Sequence, residues 1–158
     1  MHDPTLLPRA LVALAALAAL FSPALRAQPD AAVLAAGKAQ WKAECTSCHI
    51  GYPARFLPAQ AWRSLLGTLD HHYGVDASVE PKALAQIATY LEGRAGEPQR
   101  GTDATLRITH SGWFVREHHD VPAGLWRSAK VKSASNCQAC HTRADEGSFR
   151  ERDVHLPQ

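Results

Sequence analysis

Cys45-Thr46-Ser47-Cys48-His49 and Cys137-Gln138-Ala139-Cys140-His141 are two copies of one pentapeptide, C-x-x-C-H, and together they use all four cysteines of the chain. This is the pattern by which a haem is attached covalently: each thiol adds to a vinyl group of the porphyrin, and the adjacent imidazole takes one axial position on the iron. Three positions apart on a helical turn, the two sulfurs lie on one face and the next residue projects toward the metal. The chain is therefore expected to carry two covalently bound haem c groups and to pack short segments around two large apolar rings.

Other uses of four cysteines fit less well. A structural zinc site also takes two C-x-x-C pairs, but 88 residues separate Cys48 from Cys137, far beyond a ribbon or finger loop, and zinc gives no reason for a histidine after each pair. A thioredoxin-like redox motif would sit near a βαβ pattern. Two disulfides would be an ordinary staple for an exported protein of this size.

Residues 1–27 indicate export. Arg9 precedes an apolar run from Ala10 to Phe21, and Pro23 to Ala27 ends on a small residue suited to cleavage before Gln28. The run is short for a membrane span, and nothing later is long and apolar enough to cross one. The expectation is a cleaved signal peptide and a soluble periplasmic protein. Removing it leaves 131 residues with 15 basic and 14 acidic side chains, since Arg9, Arg26 and Asp3 go with the signal. The densest basic group, Arg127, Lys130 and Lys132, does not make a nucleic-acid footprint.

Along the remaining chain the periodicity is helical. Asp30 is placed to cap a helix running through Val33, Leu34 and Trp41 into the first motif. Pro58 opens a second, whose Trp62, Leu65, Leu66 and Leu69 form one stripe. A third is expected from near Ser78, with Pro81 in its first turn and Leu84, Ile87, Ala88 and Leu91 before Gly93 stops it. Helix, haem motif, helix, ligand loop and helix resemble the small class I cytochrome c fold. Residues 93–104 are polar and rich in breakers, a linker between two haem-binding units at 28–92 and 105–158. In the second unit Ser111 is placed to cap a short helix through Trp113, Phe114 and His118, another short helix delivers Cys137 to His141, and 149–158 is expected to be irregular. The only strand candidate, 105–109, has no partner. The fold class is all-α: a class I-like N-terminal haem domain and a small, partly irregular C-terminal one.

Met1 is the only methionine and leaves with the signal, so neither iron can have His/Met ligation. A second histidine, an open site or a rarer donor such as lysine remains. Outside the motifs and the signal stand His71, His72, His110, His118, His119 and His155. Where a class I cytochrome presents its methionine, this chain has His71-His72-Tyr73-Gly74. His72 is the preferred ligand there, because Leu69 ends the apolar stripe and Tyr-Gly lets the chain turn back. For the second haem, His118 follows Phe114 by four residues, next to aromatic residues suited to wall a pocket. His119 would point off that face, with His110 and His155 in reserve.

Taken together, these residues resemble the dihaem cytochromes c known as partners of the oxygen-binding haem protein first described in purple bacteria. The resemblance runs over residues 38–156 and is carried by Cys45 to Pro53, Leu57-Pro58, Trp62, His71 to Gly74, Ile87 to Leu91, Arg107 to Thr109, Trp113 to His118, Ser133 to His141, Ala144 and Gly147 to Phe149. It implies bis-histidine ligation of both irons, with His49 and His72 on the first and His141 and His118 on the second. Filled axial positions favour outer-sphere electron transfer, and histidine in place of methionine favours low potentials. The expected function is that of an electron carrier rather than an enzyme, receiving electrons from a membrane-bound cytochrome donor and passing them to an oxygen-binding c-type haem protein. A small dihaem peroxidase, or a redox or gas sensor in which one haem opens by losing a ligand, is the rival reading.

Overall fold

Asp30 opens the first helix as expected: its carboxylate accepts a hydrogen bond from the Ala32 amide at 2.8 Å, satisfying one of the donors that a helix N-terminus leaves unpaired. The structure, a computed structural model, describes residues 29–98 and 106–157. The expected signal segment 1–27 lies outside the described residues, as do positions 99–104 of the expected linker.

Three helices make the first half: α1 (Ala31–Cys45), α2 (Ala59–Leu66) and α3 (Pro81–Gly93). The longest packing seam runs between α1 and α3. Gly37 makes it possible, since a Cβ there would overlap the Gln86 carbonyl oxygen and crowd Tyr90. Pro58 precedes α2, and Pro81 occupies the first turn of α3, where its missing N–H costs nothing. The apolar stripes of α2 and α3 meet in a core of Leu57, Ala61, Trp62, Leu66, Ile87 and Leu91, with Ala54 beside them. Buried Trp62 gives its indole N–H to the Ala54 carbonyl at 2.6 Å.

Two expected boundaries of α3 shift. The helix begins at Pro81 rather than near Ser78, because a proline ring disfavours helical backbone at the residue before it, and Glu80 is extended with ψ at 139°. Gly93 does not stop the helix but is its last residue, with Arg94 as the cap, and its lack of a side chain makes room for Leu34 of α1.

The second half is built from pieces too short to be stable alone. A single turn at Ile108–His110 leads to α4 (Gly112–Glu117) and α5 (Ala123–Trp126), and single turns follow at Cys137–Ala139 and Glu151–Asp153. Ser111 caps α4 as expected: it is buried, its hydroxyl accepts from the Phe114 amide at 3.3 Å and donates to the Ile108 carbonyl at 2.7 Å. The expected short helix at the second motif is only one tight turn. Among the described residues this half buries just three hydrophobic side chains, Phe114, Val131 and Ala144. So small a core is what a segment shows when a prosthetic group supplies much of its interior. The final residues are irregular apart from their one turn, and they are tied back by His155 N to Cys140 O and Thr142 N to Asp153 O.

The halves meet through aromatic side chains. Trp113 gives its indole N–H to the Phe56 carbonyl at 3.1 Å and lies 4.9 Å from the Phe56 ring, which also meets Phe149 edge-on at 4.8 Å. Tyr52 donates to the Ser135 carbonyl at 3.2 Å and Tyr73 to that of Leu106 at 3.0 Å. Among the described residues there is no strand, only isolated bridges, and no helix long and apolar enough to cross a membrane. The fold is all-α.

Candidate haem sites

At the first motif Cys45 is the last residue of α1, and the chain then turns tightly, with the Thr46 hydroxyl on Lys42 O at 2.7 Å and that of Ser47 on Glu44 O at 2.9 Å. That turn brings His49 round beside Tyr52, ring centres 5.0 Å apart, and its Nδ1 lies 2.6 Å from the Ile50 carbonyl. Opposite it stands His72, its ring centre 6.2 Å from that of His49 and the planes 29° apart. A tight turn aims His72: Tyr73 and Gly74 both have positive φ, at 50° and 101°, and the Val75 amide closes on the His72 carbonyl at 3.2 Å. A positive φ at tyrosine is unusual, and the Tyr73 hydroxyl bond to Leu106 and the Arg107 guanidinium over its ring at 4.3 Å help hold it. His71 points to solvent, its side chain 84% exposed and paired with Asp70. Of the doublet, therefore, His72 faces the motif histidine.

The second site repeats this scheme with different parts. The Cys137–Ala139 turn continues into His141, whose amide bonds to Cys137 O at 2.8 Å, and Asn136 anchors the turn through its side-chain amide on the Val131 carbonyl. His118, just past the end of α4, faces His141 at 6.1 Å between ring centres with the planes 70° apart. The Phe114 ring stacks on His118 at 4.0 Å, and the Phe114 carbonyl lies 2.9 Å from His118 Nδ1. Trp126 stands 5.9 Å from His118, and Phe149 stands 5.2 Å from His141. His119 turns away, exposed, with its Nδ1 on the Arg116 carbonyl. His110 and His155 are exposed.

These separations test whether the residues fit an iron. A metal–imidazole bond is about 2.0–2.1 Å and the ring centre lies about 1.1 Å further out, so two axial imidazoles on one metal put their centres about 6.3 Å apart. The observed 6.2 and 6.1 Å meet that requirement at both sites. Burial and the facing histidine lower the basicity of His72 and of His141, in each case with burial the larger cause, which favours the neutral form that binds metal.

None of the four cysteines forms a disulfide. Burial, reinforced by Glu44, pushes the Cys45 thiol up to about 11, and burial raises Cys137 and Cys140 as well, so none of these three is a low-pKa redox thiolate. Among the described residues no three His, Cys, Asp or Glu side chains gather where a zinc-type ion would sit.

Four residues given no pocket role in the sequence analysis stand at the sites: Tyr52 beside His49, Trp126 beside His118, Phe149 beside His141, and Phe56, which touches both halves. Tyr52 and Phe149 follow their motif histidines by three and eight positions, a proximity that was readable as a signal. Trp113, expected to wall the second pocket, reaches across to Phe56 instead, because its indole N–H finds the Phe56 carbonyl there.

A helical chain with two attachment motifs, each ending in a histidine that faces a second one, defines a c-type haem protein with two haem sites. A family model described as dihaem cytochrome c matches residues 41–149, and the chain belongs to that family, whose members bind two covalently attached haem c groups. Among solved structures, the diheme cytochrome type c from Shewanella baltica is 38% identical, with a TM-score of 0.67 over 77% of this chain and 94% of that one. The diheme cytochrome c from Rhodobacter sphaeroides is 40% identical, with a TM-score of 0.62 over 70% of this chain and 95% of that one. No curated protein matches the chain. The family implies electron transfer.

Proposed function

We propose that this protein is a periplasmic electron carrier with two low-spin, low-potential, bis-histidine haems, the first held by His49 and His72 and the second by His141 and His118. The observation that carries the reading is the pair of histidine separations, 6.2 and 6.1 Å, at both attachment motifs. When bound, each haem supplies a one-electron ferric/ferrous couple. The chain supplies everything else. Cys45, Cys48, Cys137 and Cys140 would anchor the rings, and each histidine pair would hold its iron from two sides, leaving oxygen and peroxide no place to bind. Phe114, Trp126 and Phe149 keep water from the second site. Histidine in place of methionine sets the couple low. A filled and rigid coordination sphere changes little between oxidation states, which suits electron transfer and opposes peroxidase or gas-sensing chemistry.

The partner follows from the chemistry and from the family resemblance: a membrane-bound cytochrome as donor, and as acceptor a small c-type haem protein that itself binds oxygen. Near balance of 15 basic and 14 acidic groups beyond residue 27 means that docking depends on a local patch, so its rate falls only moderately with salt. Stopped-flow mixing of the reduced protein with such an oxygen-binding haem protein tests this. Reduction no faster than that by an unrelated bis-histidine cytochrome rejects the partnership, and appreciable peroxidase turnover by this protein alone rejects the carrier assignment.

A further inference from the structure

We propose that the two irons are electronically unlike, the first lying between nearly parallel imidazoles and the second between crossed ones, and that the second is reduced first. The inference rests on the ligand pairs of the preceding section. An axial imidazole donates π density through the orbital perpendicular to its ring, raising one of the two iron d orbitals able to accept it. At 29°, His49 and His72 act largely on the same orbital and split the pair. At 70°, His118 and His141 act on different orbitals and leave the pair nearly equal. A ferric iron gains more from the split arrangement, because its hole sits in the raised orbital. The parallel pair therefore favours the ferric state and a lower potential.

Local contacts hold the rings at these angles. His49 is oriented by the Ile50 carbonyl at 2.6 Å and by Tyr52, and His72 by the turn through Tyr73 and Gly74. His118 is clamped by the Phe114 carbonyl at 2.9 Å and by the parallel Phe114 ring, so it cannot turn to match His141. His141 rests on Phe149. The motif histidines differ in a second respect that acts in the same direction. His49 Nδ1 has a carbonyl acceptor, whereas His141 Nδ1 is buried with no hydrogen-bond partner among the described residues. A ligating imidazole that donates its second N–H becomes more basic toward the metal, and His141 lacks that support for a ferric iron.

Electron paramagnetic resonance of the oxidised holoprotein, then of samples poised at successively lower potentials, tests the inference. Two low-spin signals of equal intensity are expected, one rhombic with three resolved g-values and one strongly anisotropic with a single large g-feature, and the anisotropic signal should be lost first. His118→Ala should replace the anisotropic signal with a high-spin one and spare the rhombic signal, and His72→Ala should do the converse. Two rhombic signals of the same shape, loss of the rhombic signal first, or removal of the rhombic signal by His118→Ala overturns the inference while leaving bis-histidine ligation standing. High-spin iron in the unmodified protein instead overturns the ligand assignment beneath it.

Discussion

Replacing Phe114 by alanine should cost the protein about 3 kcal/mol and leave its irons low-spin. The side chain is 8% exposed and lies against three rings, His118 at 4.0 Å, Trp113 at 6.0 Å and Trp126 at 6.1 Å. Truncating a buried Phe to Ala typically costs about 3–5 kcal/mol, the sum of lost transfer energy and the cavity left behind. The lower end applies because the second half has few other buried side chains, and its short turns can partly close the gap. Against a total stability of about 5–15 kcal/mol this is a large fraction. For a chain of this size it corresponds to a Tm lower by roughly 6–12 °C. The ligand itself should survive, since the acceptor for His118 Nδ1 is the Phe114 backbone carbonyl, which the substitution keeps. Thermal melts of the holoprotein, followed in the haem band and by circular dichroism, measure the shift. Val115→Ala, at an exposed position on the same helix, is the control and should stay within about 0.5 kcal/mol. A Phe114→Ala shift no larger than that of the control refutes the packing argument.

His72→Ala should make the first haem high-spin and able to bind carbon monoxide, and His118→Ala the second, whereas His71→Ala and His119→Ala should leave both spectra unchanged. Gly37→Ala forces a methyl group onto the Gln86 backbone and should cost about 1–3 kcal/mol in a guanidinium titration. The Ser148 hydroxyl, 2.7 Å away, holds the Asp153 carboxyl below its ordinary value of 3.8. The stabilisation is thus present above the unfolded carboxylate pKa and lost as pH falls through the lower folded one, so the protection of the Thr142 amide, relative to its intrinsic exchange rate, should fall in acid, and Asp153→Asn should remove that part of the pH dependence.

What could be read from the sequence was local. The attachment motifs carry their chemistry within five residues, the stripe from Leu84 to Leu91 lies on a single helix, that from Trp62 to Leu69 stays on α2 as far as Leu66 with Leu69 reaching the core from the turn beyond, and the Asp30 and Ser111 caps act within three positions. The α3 start moved because Pro81 keeps Glu80 extended, a backbone constraint that hydrophobic periodicity does not register. Which histidine of each doublet faces the motif depended on backbone: a left-handed Tyr73-Gly74 turn for one, and the end of α4 for the other. Contacts between the halves were the least legible. Tyr52 meets Ser135 across 83 positions and Trp113 meets Phe56 across 57, and such pairings are decided by which aromatic side chain finds a free carbonyl once the pieces pack.

The central claim is that both irons are closed by histidine on both sides. Adding carbon monoxide to the fully reduced holoprotein at neutral pH and recording the change in its haem absorption bands tests it most directly. Two histidine-closed irons predict a low-spin spectrum before the addition and no shift on the seconds timescale after it. A prompt shift equivalent to one or both haems would contradict the account.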